Sequence, residues 1–89
     1  MKAFWNALRV TAARWRAKNE EYRGGIVMIW EGEVYAWKNE VRDPQCERPG
    51  VYAVDEKGQI YIAVGGDDYN GAERWIVKQP AVEDCSGSN

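Results

Sequence analysis

Residues 48–77, RPGVYAVDEKGQIYIAVGGDDYNGAERWIV, decide the fold of this chain, because they hold three strand-like runs separated by turn signals. The first two runs flank DEKG at residues 55–58, a composition typical of a type I turn closed by a left-handed glycine. Side chains alternate between the two faces of a strand, so we expect Ile60, Ile62 and Val64 to point together into the core. The stretch therefore predicts an antiparallel hairpin at the centre of the domain.

A glycine-rich acidic loop, DDYNG at residues 67–71, joins this hairpin to a last strand predicted at Trp75–Val77, with Trp75 in the core. Asn-Gly is a strong hairpin signal, and a type I′ turn at Asn70-Gly71 would pair residues 64–69 with 72–77. We therefore expect a tight turn at the tip of this loop.

The same loop matches part of a calcium-binding pattern through Asp68, Asn70 and Gly71. In that register the first and last ligand positions fall on Gly66 and Val77, which carry no carboxylate. We therefore predict no calcium site and interpret the loop as a run of turn-forming residues.

Toward the N-terminus, two more apolar runs at residues 26–31 and 33–38 surround Glu31-Gly32. They predict a tight hairpin, with one long bulged strand as the alternative. Residues 3–22 contain neither glycine nor proline and predict a helix that stops at Gly24-Gly25. Its core-facing side is predicted to carry Trp5, Leu8, Ala12, Trp15, Asn19 and Tyr22.

These elements predict an α+β domain, with an N-terminal amphipathic helix packed on a small antiparallel sheet of about five strands. A sheet curled into a partial barrel is the alternative. A chain of 89 residues holds one core. We therefore predict a single domain over residues 1–80, followed by a mobile polar tail over residues 81–89.

The residue types present argue against catalysis. The chain has no histidine, which is the commonest general base and zinc ligand. It also has no glycine-rich phosphate-binding motif, and its paired carboxylates all fall in predicted turns, loops or the tail. We therefore predict that the protein is not an enzyme and uses no cofactor and no metal.

The two cysteines, Cys46 and Cys85, form no CxxC pair. Neither a secretory signal nor a membrane-spanning run is predicted. We therefore expect a cytoplasmic protein with free thiols and no membrane contact, with a Cys46–Cys85 disulfide as the alternative.

Charge is distributed unevenly, with a net +4 over residues 1–23 and a net −6 over residues 24–89. The basic side chains Arg9, Arg16 and Arg23 of the predicted helix suggest a nucleic-acid-binding domain as one hypothesis. The acidic remainder would repel phosphates, so this hypothesis is the second choice.

The first hypothesis is a non-catalytic module that binds a protein partner and occludes it. Two candidate surfaces are the loop Asp67, Asp68, Tyr69 and Asn70, and the connection Arg42-Asp43 beside Trp37. A homodimer through the helix face or an unpaired strand edge is a further hypothesis. The general character is that of an accessory protein of a phage or plasmid, including an inhibitor that occupies a partner's surface.

Overall fold

The fold consists of one α-helix and a five-stranded antiparallel sheet. The structure is a computed structural model that describes residues 2–22 and 24–80, with side chains from residue 4 onward. Helix α1 (Lys2–Lys18) and a 3-10 turn (Glu20–Tyr22) precede the strands β1 (Ile26–Trp30), β2 (Glu33–Lys38), β3 (Tyr52–Asp55), β4 (Ile60–Val64) and β5 (Arg74–Gln79). A second 3-10 turn at Pro44–Cys46 lies between β2 and β3. The strand order is β2-β1-β3-β4-β5, which leaves β2 and β5 at the two edges. The predicted α+β class is confirmed, and the sheet is open rather than closed into a barrel.

The hairpin at Glu31-Gly32 is confirmed, and the alternative of one long strand is wrong. Both turn residues have positive φ, 52° and 84°, as a two-residue type I′ turn requires. Met28 lies opposite Ala36 but Ile29 lies opposite Val34, so Tyr35 is an extra residue in β2. This β-bulge changes the direction of the Tyr35 side chain, whose hydroxyl donates to Glu47.

The predicted turn between β3 and β4 is also confirmed. Gly58, with a φ of 85°, donates its N–H to the Asp55 carbonyl at 3.0 Å. The Asp55 carboxylate accepts the backbone N–H groups of Lys57 and Gln59, each at 2.9 Å. A short aspartate side chain therefore satisfies the backbone of the turn and fixes the register of the hairpin.

Helix α1 covers one face of the sheet through the side that the sequence predicts. Leu8 and Ala12 are buried, and Trp5 and Trp15 lie along the same side. The helix predicted over residues 3–22 is shorter in the structure, because it ends at Lys18 and Tyr22 belongs to the 3-10 turn that follows. The buried cluster beneath the helix consists of Leu8, Ala12, Val27, Ile29, Val54 and Ile60. Within the described residues, no helix is both long and apolar enough to cross a membrane.

A second buried cluster lies on the opposite face of the sheet, which the sequence does not predict. The connection between β2 and β3 reads as polar, yet it covers this face and contributes Val41 and Val51 to the packing. The cluster and its flanking side chains are Ile26, Met28, Val51, Ala53, Ala63 and Ala72, with Trp30, Ala36, Val41, Tyr61 and Trp75 partly buried around them. The domain is therefore packed on both sides of its sheet.

The core prediction for β4 is only partly right. Ile60 is fully buried, but Ile62 and Val64 are only partly buried. The reason is that α1 packs chiefly on β1, β2 and β3, so it does not cover the far end of β4. Trp75 is partly buried and packs on the opposite face, as part of the second cluster.

The predicted pairing of residues 64–69 with 72–77 is wrong by three positions. Asp67 forms a bridge with Gly71, and Val64 lies opposite Arg74. The loop closes around the three residues 68–70 instead of a two-residue turn at Asn70-Gly71. The Asp67 carboxylate accepts a hydrogen bond from the Asn70 N–H, and this bond favours the longer turn.

Two glycines with positive φ allow a matched test of backbone strain against packing. A methyl group on Gly32 (φ 84°) would meet no atom within 4 Å, whereas one on Gly25 (φ 72°) would collide with the Lys38 carbonyl and the Trp37 ring. We expect Gly32→Ala to cost about 1 kcal/mol of unfolding free energy. Gly25→Ala should cost roughly 3 kcal/mol, because the collision adds to the same strain. Urea unfolding measures both, and equal losses would contradict the packing explanation.

Candidate functional site

The loop between β4 and β5 presents an exposed aromatic side chain on an ordered turn. Gly71 donates its N–H to the Asp67 carbonyl at 2.8 Å, and Asp67 donates back at 3.2 Å. The Asp67 carboxylate accepts the backbone N–H of Asn70 at 2.7 Å and its amide side chain at 3.3 Å. The N–H of Asn70 is the main reason that the pKa of Asp67 lies below its usual value. At the tip of this turn, Tyr69 is 95% exposed.

The base of this loop lies against the connection between β2 and β3. Ala72 donates its N–H to the Glu47 carbonyl at 2.8 Å, and the Trp75 indole donates to the Arg42 carbonyl at 3.2 Å. Any side chain on Gly71 would overlap the backbone of Gln45. The structure therefore brings two predicted segments together, and we call the result the loop surface: Arg42, Asp43, Asp67, Asp68, Tyr69 and Asn70.

Trp37 is not part of this surface, contrary to its predicted position beside Arg42. Its indole packs against the cluster under α1, donates to the Gly24 carbonyl at 2.8 Å and lies 4.9 Å from the Tyr22 ring. The tryptophan that contacts Arg42 is Trp75, which belongs to the opposite face of the sheet. Strand alternation between the two faces is the physical reason for the difference.

Glu47 holds the connection in place, and sequence reasoning missed it. Only 8% of the residue is exposed, and its carboxylate accepts the Tyr35 hydroxyl and forms an ion pair with the Lys38 ammonium at 3.1 Å. Both partners come from β2, where the bulge turns Tyr35 toward the same side as Lys38. The prolines at residues 44 and 49 were the one sequence signal of an ordered connection, since each fixes φ.

A groove of about 540 Å³ borders Glu47 at the end of the β1–β2 hairpin. The guanidinium of Arg48 lies 4.8 Å from the ring centre of Trp30, and both residues line the groove. Cys46 lines the groove and is exposed, whereas Cys85 lies outside the described residues. The disulfide alternative therefore stays a prediction, as does the mobile tail over residues 81–89, which also lies outside them.

The hydroxyl of Tyr35 is partly shielded from water and donates a hydrogen bond to the Glu47 carboxylate. Burial raises its pKa above the usual tyrosine value, and the hydrogen bond to Glu47 and the charge of that carboxylate raise it further. The positive charge of Arg48 opposes the shift. A raised pKa in the folded state means that folding favours the neutral phenol, so this stabilisation is present below about pH 10 and is lost as the pH rises through the folded-state value.

We expect Tyr35→Phe to lower the unfolding free energy by about 1 kcal/mol at neutral pH, because it removes one hydrogen bond to a charged acceptor at a half-exposed side chain. The difference between the wild type and this variant should shrink above about pH 10, as the wild-type phenol ionises. Denaturant unfolding across this pH range measures both effects. Tyr69→Phe is the control, and a similar loss in that variant would contradict the role of the Glu47 contact.

Two of the arginines predicted as nucleic-acid-binding candidates, Arg9 and Arg16, contact main-chain carbonyls of the fold. Arg9 donates to the Gly58 carbonyl at 2.9 Å, and Arg16 donates to the carbonyls of Gly25, Val54 and Asp55 at 2.8, 3.2 and 3.3 Å. Burial lowers the pKa of Arg16, and the nearby carboxylates oppose that shift. Arg23 lies outside the described residues.

Arg16→Ala should therefore destabilise the domain by roughly 2–3 kcal/mol, because three main-chain carbonyls lose a charged donor. Arg14→Ala, on the exposed side of the same helix, should change the unfolding free energy by less than about 0.5 kcal/mol. Thermal or urea unfolding compares the two. Equal stability of both variants would show that the contacts of Arg16 contribute nothing.

Within the described parts of the chain, no three histidine, cysteine, aspartate or glutamate side chains are grouped so that they could hold a metal ion. Comparisons of the chain with family models, curated proteins and solved structures give no match. Functional inference therefore depends on the geometry of the surface.

Proposed function

We propose that this protein is a non-catalytic binding module that docks a protein partner on the loop surface and occludes the partner's own binding site. The observation that supports this proposal is Tyr69, an aromatic side chain that is 95% exposed on a loop fixed by hydrogen bonds. A large exposed aromatic side chain contributes nothing to the core of its own domain, whereas tyrosines are enriched among the residues that dominate binding energy.

The order of the loop reduces the entropic cost of binding. The Asp67 carboxylate holds the turn through the Asn70 N–H. At the base of the loop, Ala72 donates to the Glu47 carbonyl and Gly71 packs against the Gln45 backbone. A preorganised loop loses less conformational freedom when it docks than a mobile one does. The scaffold therefore presents Tyr69 in one geometry.

The charges of the loop surface favour a basic partner. Asp67 and Asp68 directly precede Tyr69 and are exposed, while the side chain of Arg42 is paired with Asp43 at 3.7 Å. Negative charge around an aromatic anchor complements a positive surface and accelerates encounter with it. A nucleic-acid-binding face of another protein has this character, so inhibition by occlusion is the form of the proposal that fits the charges.

The alternative of nucleic-acid binding through α1 has less support. The guanidinium groups of Arg9 and Arg16 already donate to carbonyls of the sheet turns. Arg16→Ala would also destabilise the domain, so any test of this alternative should use the exposed Arg14 and Lys18.

Affinity purification of the intact protein from its source cell tests the main proposal. We expect one stoichiometric protein partner, whose affinity falls at least about tenfold with Tyr69→Ala or Asp68→Lys. Glu20→Lys makes the same charge change in the exposed 3-10 turn after α1 and serves as the matched control.

Three results would contradict the proposal. One is recovery of no stoichiometric partner, and another is an unchanged affinity in both loop variants. The third is an equal loss in Glu20→Lys, which would show a general charge effect in place of a defined surface.

A further inference from the structure

The loop between β4 and β5 contains the only asparagine of the chain that directly precedes a glycine, Asn70-Gly71. Asparagine is a thermolabile residue, because the backbone nitrogen of the next residue can attack its side-chain carbonyl carbon. A following glycine hinders this attack least, since it has no Cβ. The pair is therefore a candidate site of spontaneous chemical modification.

The fold requires the glycine of this pair. Gly71 has a φ of 87°, and any side chain there would overlap the Gln45 backbone. The φ of Asn70 is not positive, so the backbone does not require an asparagine at that position. The reactive pair thus cannot be removed at its glycine without disturbing the contact between the loop and the connection.

The folded loop withholds the attacking nitrogen. Gly71 is buried, although residues 65–70 of the same loop are exposed. Its N–H donates to the Asp67 carbonyl at 2.8 Å. Attack requires this nitrogen to lose its proton, and a proton held in a hydrogen bond within a buried turn is released only when the turn opens. The rate of attack therefore follows the population of the open loop.

The same aspartate holds the group that would be attacked. The Asp67 carboxylate accepts the Asn70 backbone N–H at 2.7 Å and the Asn70 side-chain amide at 3.3 Å. The amide nitrogen that would leave is thus a hydrogen-bond donor in the closed loop. Asp67 binds the attacking residue through its carbonyl and the attacked residue through its carboxylate.

We propose that Asn70 is a deamidation site that reacts only through the open loop, and that its products then keep the loop open. The deprotonated Gly71 nitrogen forms a bond to Cγ of Asn70, and the bond from Cγ to Nδ2 breaks. The side-chain nitrogen takes up the proton and leaves as ammonia, which closes a five-membered succinimide ring. Water then opens the ring at one of its two carbonyl carbons and gives aspartate or isoaspartate.

Both products oppose closure of the loop. In the aspartate product, two carboxylates face each other where the closed loop has an amide donor 3.3 Å from Asp67. In the isoaspartate product, the main chain passes through the former side chain and is one carbon longer within a tight turn. Each product therefore loses the contact that kept Gly71 closed, so the modification acts in one direction.

Mass spectrometry of the peptide that contains Asn70 measures the reaction during incubation of the purified protein at neutral pH. We expect the folded protein to deamidate at least about tenfold more slowly than the same protein in guanidinium chloride. Asp67→Ala should raise the rate in the folded protein about tenfold, because it removes a charged acceptor with two contacts.

Asp68→Ala is the matched control for this variant. It removes the same charge from an exposed neighbour that accepts neither of these hydrogen bonds, so the rate should change less than about twofold. Circular dichroism checks that both variants are folded. The comparison of the folded with the unfolded wild type does not depend on either variant.

The effect of the product is tested with Asn70→Asp, which has the sequence of the aspartate product. Hydrogen exchange of the Gly71 N–H, followed by NMR, should be at least about tenfold faster in this variant than in the wild type. Asn70→Ser is its control, because it removes the amide without adding a charge, and its exchange should accelerate less.

Four outcomes would overturn the proposal. The first two are equal deamidation rates in the folded and unfolded protein, and an Asp67→Ala protein that reacts no faster than Asp68→Ala. The others are no reaction of the unfolded chain at Asn70, and equal exchange in Asn70→Asp and Asn70→Ser. None of these measurements uses a protein partner, so a failure of the loop surface to bind one would leave the proposal unaffected.

Discussion

The buried carboxylate of Glu47 is the interaction on which the second layer of this domain depends. A charge removed from water must be compensated by donors, and the Tyr35 hydroxyl and the Lys38 ammonium compensate this one. Because both donors belong to β2, the carboxylate ties the connection to one particular edge of the sheet. The Glu47 carbonyl accepts the Ala72 N–H in turn, so the same residue positions the base of the β4–β5 loop.

The two faces of the sheet are covered by elements of different kinds. Helix α1 covers one face and is tied to the strand ends by Arg16, whose donors reach three main-chain carbonyls. An irregular connection with one 3-10 turn covers the other face, and its backbone is satisfied by specific partners rather than by a repeating ladder. A single helix does not span five strands, so Ile62 and Val64 of β4 are only partly covered.

Local signals predicted most of the secondary structure. The turn at Asp55–Gly58 and the hairpin at Glu31-Gly32 were correct because their conformations are set by the residues in the turns themselves. The β4–β5 loop was predicted with the wrong register, since Asp67 binds the Asn70 N–H and favours a longer turn than Asn-Gly alone would. The predicted core-facing residues were correct within α1 and only partly correct in β4. Alternation along a strand indicates which face of the sheet a side chain lies on, but it does not indicate what covers that face.

The candidate site was less predictable than the fold. The sequence by itself determined the α+β class, the turns at Glu31-Gly32 and Asp55–Gly58, the core-facing side of α1 and the acidic loop that carries Tyr69, since each depends on residues that are close together in the chain. Only the tertiary structure decided that Arg42 lies beside Trp75 instead of Trp37. It also decided that Glu47 is buried between Tyr35 and Lys38, and that the Arg16 guanidinium donates to main-chain carbonyls. These outcomes depend on which strands become neighbours and where a β-bulge falls. Contacts of that kind join residues far apart in sequence, and no local pattern encodes them.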